Sequence, residues 1–110
     1  MKQQIAAKIL TVYIGDEDRW KSGILYPALV QELKDAGVAG VTVLRGLEGY
    51  GINGNLHTAR LEVFFQGLPV LIQAVDTEAH ILKALSIVET MVQEGLVTVQ
   101  NVTAIRLTHD

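Results

Sequence analysis

The apolar positions of this chain fall into two rhythms. Lys8 to Gly15, KILTVYIG, is rich in β-branched and aromatic residues and predicts a first strand, with Ile9, Val12 and Ile14 apolar and Gly15 as its stop. An acidic turn follows, Asp16-Glu17-Asp18, and then Arg19, Trp20 and Lys21. Leu25, Leu29, Val30 and Leu33 form one stripe at helical spacing, which predicts a helix over Leu25 to Ala36. Pro27 is tolerated in its first turn and Gly37 ends it. Val38 to Leu44 predicts a second strand, with Gly40 marking a bulge or a close approach.

A glycine-rich loop comes next, and after it Ala59 to Phe65 predicts a third strand or its first half. Val70 to Val75 resumes as strand; the two pieces could form a hairpin or one broken strand, and Pro69 favours a break or a sheet edge. Asp76 or Thr77 caps a second helix, with Glu78 at its positive end and Ile81, Leu82, Leu85, Val88 and Val92 as its apolar face. Gly95 stops it, and Leu96 to Val99 and Val102 to Leu107 are extended. The order β-α-β-loop-β-α-β, with right-handed crossovers, puts both helices on one face of an antiparallel sheet. This is an α+β, ferredoxin-like arrangement. VTVL and VLIQAV are apolar on both sides, which predicts a homotrimer that buries the open sheet faces against one another.

Composition narrows the picture. The 110 residues suit a single domain, 1–110, and the 49% hydrophobic and 19% charged fractions describe a globular chain. A net charge of −3, with the basic residues scattered, argues against nucleic acid as a partner. The absence of cysteine excludes disulfides, Cys-based zinc sites and thiol chemistry. The N-terminal apolar stretch is short and interrupted by Lys8, unlike a signal peptide, and no run approaches the roughly 20 residues that span a membrane. The expectation is a soluble, cytoplasmic protein that does not itself span a membrane.

Candidate chemistry gathers in the loop. Gly46, Gly49, Gly51 and Gly54 free the backbone to form an anion-binding nest of N–H groups. A flexible connection is the plain alternative, but the loop is longer than a connection needs. It is neither a P-loop nor a dinucleotide fingerprint, since no Lys-Ser/Thr follows and no strong helix opens directly after it. Arg45 and Arg60 could grip a carboxylate or phosphate, or equally pair with Glu48 and Glu62. His57 could act as acid, base or ligand, or hold the loop structurally. His80 and His109 have no metal-ligand spacing to it, so no metal site is expected. Asp16 to Asp18 read as a solvated turn in which Asp18 caps something, rather than a cation site. Trp20 and Tyr26 read as packing over the helix start rather than a stacking platform. No Ser-His-Asp, Cys-His or paired-carboxylate pattern appears, so no catalytic residues are assigned. A small enzyme using His57 and Arg45 is the alternative to a binding protein.

Several motifs are specific: VYIGDEDR (Val12–Arg19), Leu25-Tyr26, AGVTVLRGLEGYG (Ala39–Gly51), Leu56-His57-Thr58, Leu68-Pro69-Val70 and Val75-Asp76. With these the chain resembles the bacterial and archaeal family known as domain of unknown function 190, over nearly its whole length. That family is grouped with the PII-like signal transducers. The resemblance implies a ferredoxin-like trimer with adenine nucleotides in the clefts between subunits. It also implies a loop after the second strand that touches a target protein such as a transporter. The ligand-binding residues it implies, together with the loop reading, are Arg45, Gly46, Gly49, Tyr50, Gly51, His57, Thr58, Gly95 and Arg106. No resident cofactor is implied; an adenine nucleotide enters as an effector. The chain departs from the PII pattern at Leu96, where PII has a lysine, and at Ala104, the first of two basic positions on the last strand. Anion binding then falls on Arg45, His57 and the loop amides. A regulatory protein that binds a small anionic ligand, or an accessory subunit of a membrane transporter, is the function this implies.

Overall fold

The computed structural model describes residues 1–48 and 67–109. The elements in order are β1 (Lys2–Gly15), β2 (Arg19–Trp20), β3 (Gly23–Ile24), α1 (Leu25–Asp35), β4 (Val41–Arg45), β5 (Pro69–Asp76), α2 (Glu78–Met91) and β6 (Leu96–Leu107). The main sheet runs β4-β5-β1-β6 and every neighbouring pair is antiparallel. Each helix therefore links two strands that run the same way with one strand between them, the interleaving expected of a ferredoxin-like α+β fold. The small β2–β3 pair forms its own two-stranded sheet, with Lys21 at φ 56° in the turn.

One sheet face carries the core. Leu10, Val12 and Ile14 of β1 and Val70, Ile72 and Ala74 of β5 alternate onto it. Leu25, Leu29 and Leu33 of α1 and Ile81, Ala84, Val88 and Met91 of α2 close it from above. By the same alternation and register, Ile9, Thr11, Tyr13, Thr42, Leu44, Leu71, Gln73 and Val75 lie on the face without helices. Thr11 is buried there and accepts a hydrogen bond from Gln73 Nε2 at 3.4 Å.

Helix α1 ends as its sequence requires. Ala36 is the cap, Gly37 takes φ 89°, and the N–H groups of Gly37 and Val38 return to the carbonyls of Lys34 and Leu33 at 3.1 and 3.2 Å. This is a Schellman ending, and Val38 supplies its apolar contact by burying itself in the core. Val38 is thus spent on the helix end, and β4 starts at Val41 rather than at Val38. Gly40 makes the close approach: its carbonyl accepts from Val75 N–H at 3.3 Å. At α2 it is Thr77 that caps, its hydroxyl accepting from His80 N–H at 3.5 Å.

Three further features differ from expectation. β1 begins at Lys2, six residues before the predicted Lys8, because Lys2 to Ala7 pair with Leu107 to Val102 although their own pattern is weak. β6 is one strand, since the polar Gln100 and Asn101 pair across to Ile9 and Lys8, and Asn101 Oδ1 accepts from Lys8 Nζ. Val70 to Val75 belongs to an interior strand rather than an edge; Pro69 is its first residue, where a missing N–H is tolerated. The predicted strand from Ala59 to Phe65 lies outside the described residues. Among the described residues no helix is long and apolar enough to cross a membrane.

Candidate functional site

Three chain segments meet at one corner of the sheet. After β1 the chain turns sharply: Asp18 Oδ2 accepts from Gly15 N–H at 2.9 Å, and Asp18 N–H reaches Gly15 O at 3.2 Å. Asp16, inside this turn, clasps the segment that leads into β5. Its N–H donates to Leu68 O at 2.8 Å, and its Oδ1 accepts from Leu68 N–H at 3.0 Å. Gly67 sits against the same carboxylate with φ 80°, and a Cβ there would lie 2.1 Å from Asp16 Oδ1. Only glycine combines that backbone with that approach.

Arg45, the last residue of β4, completes the corner. Its guanidinium donates to the Tyr26 hydroxyl at 3.1 Å and lies 6.0 Å from the Tyr26 ring centre. Its Nε is 3.9 Å from the second oxygen of Asp16, Oδ2. The Arg45 side chain is 56% exposed and that of Asp16 only 18%. Gly46 follows with its N–H on Pro69 O at 2.7 Å, and a Cβ there would meet Pro69 Cγ at 2.7 Å. A rigid frame thus holds a largely solvated cation beside the start of the glycine-rich segment.

The remaining predicted site residues divide. Gly95 lies at the same sheet end, in the α2–β6 turn, packed 3.0 Å from Tyr13 O and 3.1 Å from Ile14 Cγ2 by the measure of an added Cβ. Across the strand order it is two strands beyond the Arg45–Val70 pair, roughly 15 Å away at the usual strand spacing. Arg106 pairs with Gln3 at the opposite end of the sheet, on the order of 33 Å along β6 from Leu96. One chain therefore does not bring Arg106 to Arg45. Gly49, Tyr50, Gly51, His57 and Thr58 lie outside the described residues.

Sequence reasoning missed Asp16 and Tyr26 as the partners of Arg45. Asp16 is not the solvated turn residue it resembled, because Gly67 and Leu68 cover it. Nothing local signals either contact; they are made across 29 and 19 residues of chain, between elements that only the fold brings together.

At the far end of β5 a second acidic group is tied down. Asp76 Oδ2 accepts from Ala39 N–H at 2.8 Å and lies 3.0 Å from His80 Nδ1, while Oδ1 accepts from Thr77 N–H at 2.7 Å. Burial alone would raise the pKa of this carboxyl. The hydrogen bonds from Ala39, Thr77 and His80 outweigh it and hold the group below its ordinary value. Among the described residues no cluster of His, Cys, Asp or Glu could hold a metal ion.

Residues 7–104 match the family described as "DUF190: Uncharacterized ACR, COG1993". The chain belongs to the DUF190 family. The DUF190 chain is 34% identical over 98 residues to the UPF0166 protein of Methanocaldococcus jannaschii, covering 86% of this chain and 88% of that one. It is 26% identical over 103 residues to a UPF0166 protein of Aquifex aeolicus, covering 94% and 97%. Among solved structures it resembles CPII, a nitrogen regulatory PII-like protein from Thiomonas intermedia K12 bound to ADP, AMP and bicarbonate. The TM-score is 0.65 at 18% identity, over 96% of this chain and 100% of that chain. It also resembles the B. subtilis GlnK–ATP complex, with a TM-score of 0.60 at 16% identity, over 88% and 82%. At these identities the likeness shows the fold, and this DUF190 chain has the PII-like form of the ferredoxin-like arrangement.

Proposed function

We propose that this DUF190 chain is a PII-like regulatory protein. It assembles as a homotrimer and binds a small anionic ligand, an adenine nucleotide first among the candidates, in clefts between subunits. It signals through the 46–57 segment to a protein partner such as a transporter. The observation that carries this reading is the exposed guanidinium of Arg45 on a fixed frame at the root of a glycine-rich segment. The fold supports it, being shared with proteins solved with ADP, AMP, ATP and bicarbonate. A guanidinium suits such ligands because its planar donors match phosphate or carboxylate oxygens in pairs. Leu96 offers no charge at the start of β6, so the share borne by Arg45 rises. In a trimer, Arg106 of one subunit can serve the cleft of another even though it lies far from its own Arg45.

Calorimetry with ATP, ADP, AMP and cyclic nucleotides tests the reading. At least one is expected to bind, and Arg45→Ala to weaken that binding about tenfold or more, as loss of a charge-assisted hydrogen-bonding group does. No heat and no thermal shift with any of them would falsify the nucleotide assignment.

A further inference from the structure

We infer that Asp16 is the resident occupant of Arg45, a carboxylate that an incoming anion displaces, so that ligand binding is exchanged against an internal ion pair. The inference rests on the regulatory reading and deepens it by adding a residue that sets affinity without touching the ligand. Three observations carry it. The Arg45 Nε to Asp16 Oδ2 distance is 3.9 Å, an ion pair but too long for a hydrogen bond. Tyr26 OH takes one guanidinium N–H at 3.1 Å; among the described residues the other donors have no hydrogen-bonded acceptor, and more than half of the side chain is exposed. Asp16 is held in place independently of Arg45, by the two-way clasp with Leu68 and the close approach of Gly67.

These facts decide the direction of exchange. A single carboxylate charge that makes no hydrogen bond to Arg45 competes weakly with a polyanion that can accept two N–H bonds from the same guanidinium. Asp16 cannot follow Arg45 outward, because Leu68 keeps it. The pair therefore opens instead of rearranging, and the clasp at the start of β5 loses the cation that neutralised it. Arg45 ends β4 and Leu68 precedes β5, so the exchange is felt on both sides of the segment that joins those strands. Asp16 is a positioning residue here and Tyr26 the second brake on Arg45.

The test uses the full chain, with ADP and inorganic pyrophosphate as probes. It follows the Arg45 Nε–H resonance by NMR and the dissociation constants by calorimetry. Asp16→Asn keeps an oxygen for Leu68 N–H and removes the charge. It is expected to move the Arg45 resonance before any probe is added and to tighten binding about threefold or more. Tyr26→Phe leaves the Leu68 clasp whole and is expected to tighten binding in the same direction, which keeps the inference exposed if Asp16→Asn folds poorly. Unchanged or weaker binding in both variants overturns it. Heat with ADP while the Arg45 resonance stays put also overturns it and leaves the regulatory reading intact. If ADP does not bind but pyrophosphate moves the Arg45 resonance and the variants bind it more tightly, the exchange stands and ADP is ruled out as the effector. No response to either probe overturns the exchange, and the regulatory reading is then decided by the remaining nucleotides.

Discussion

At the scale of single residues, the fold depends on acidic groups used only as acceptors. Asp76 faces three donors, Ala39 N–H, Thr77 N–H and His80 Nδ1, with two oxygens. Asparagine would turn an NH₂ group toward at least one of them. Asp76→Asn is therefore expected to cost about 2 kcal/mol at neutral pH, the range for losing hydrogen bonds to a charged group. The pH dependence has a definite sign. The folded carboxyl titrates below its unfolded value of 3.8, so its contribution is complete above that value and fades as pH falls through the folded one. Urea denaturation of both proteins at pH 7 and near pH 3 checks this: the gap between them is expected to shrink in acid. Asp76 was legible as a helix-start residue, because an acidic residue before Thr77-Glu78 carries that signal. Its hold on Ala39 was not, since that contact spans 37 residues. The same limit hid Asp16 from Arg45.

At the scale of elements, helix α1 was the most legible part of the chain. Its stripe, its tolerated proline and its Gly37 stop are local signals, and they placed its end within one residue. Helix α2 was read correctly at its start, but it ends at Met91 with Val92 already extended, short of the expected stop at Gly95, and its face was partly misjudged. Leu82 is 57% exposed, while Ala84 and Met91 are buried. The reading favoured large apolar residues, whereas the sheet beneath leaves room for a small one at Ala84. Leu29→Ala is expected to cost about 3 kcal/mol, because Leu29 is fully buried in a packed core. Leu82→Ala is expected to cost less than about 0.5 kcal/mol. Denaturant midpoints of the two variants side by side measure the difference. Strand boundaries were harder to place because pairing, more than pattern, sets them, as β1 from Lys2 to Ala7 shows.

At the scale of the whole molecule, element order alone led to the sheet topology, because few arrangements satisfy two crossovers and an antiparallel sheet. The sequence left the site half-read: the arginine was visible, and the contacts with Asp16 and Tyr26 that hold it were not. The face without helices, with Leu44 and Val75 exposed, supports the proposed homotrimer. Sedimentation is expected to give a species of three times the 12.0 kDa chain, and Leu44→Asp, placing a charge on that face, to shift it to smaller species. The long pairing of β1 with β6 has a kinetic consequence. β1 lies inside the sheet, and its longest partner is the strand farthest from it in the chain, down to a contact between the Met1 amino group and Thr108 O. Such distant pairing makes the sheet slow to close, because the chain must lose the entropy of a near-complete ring before β6 is rewarded. Until then β1 keeps one bare edge on a nascent protein that cannot yet shield it.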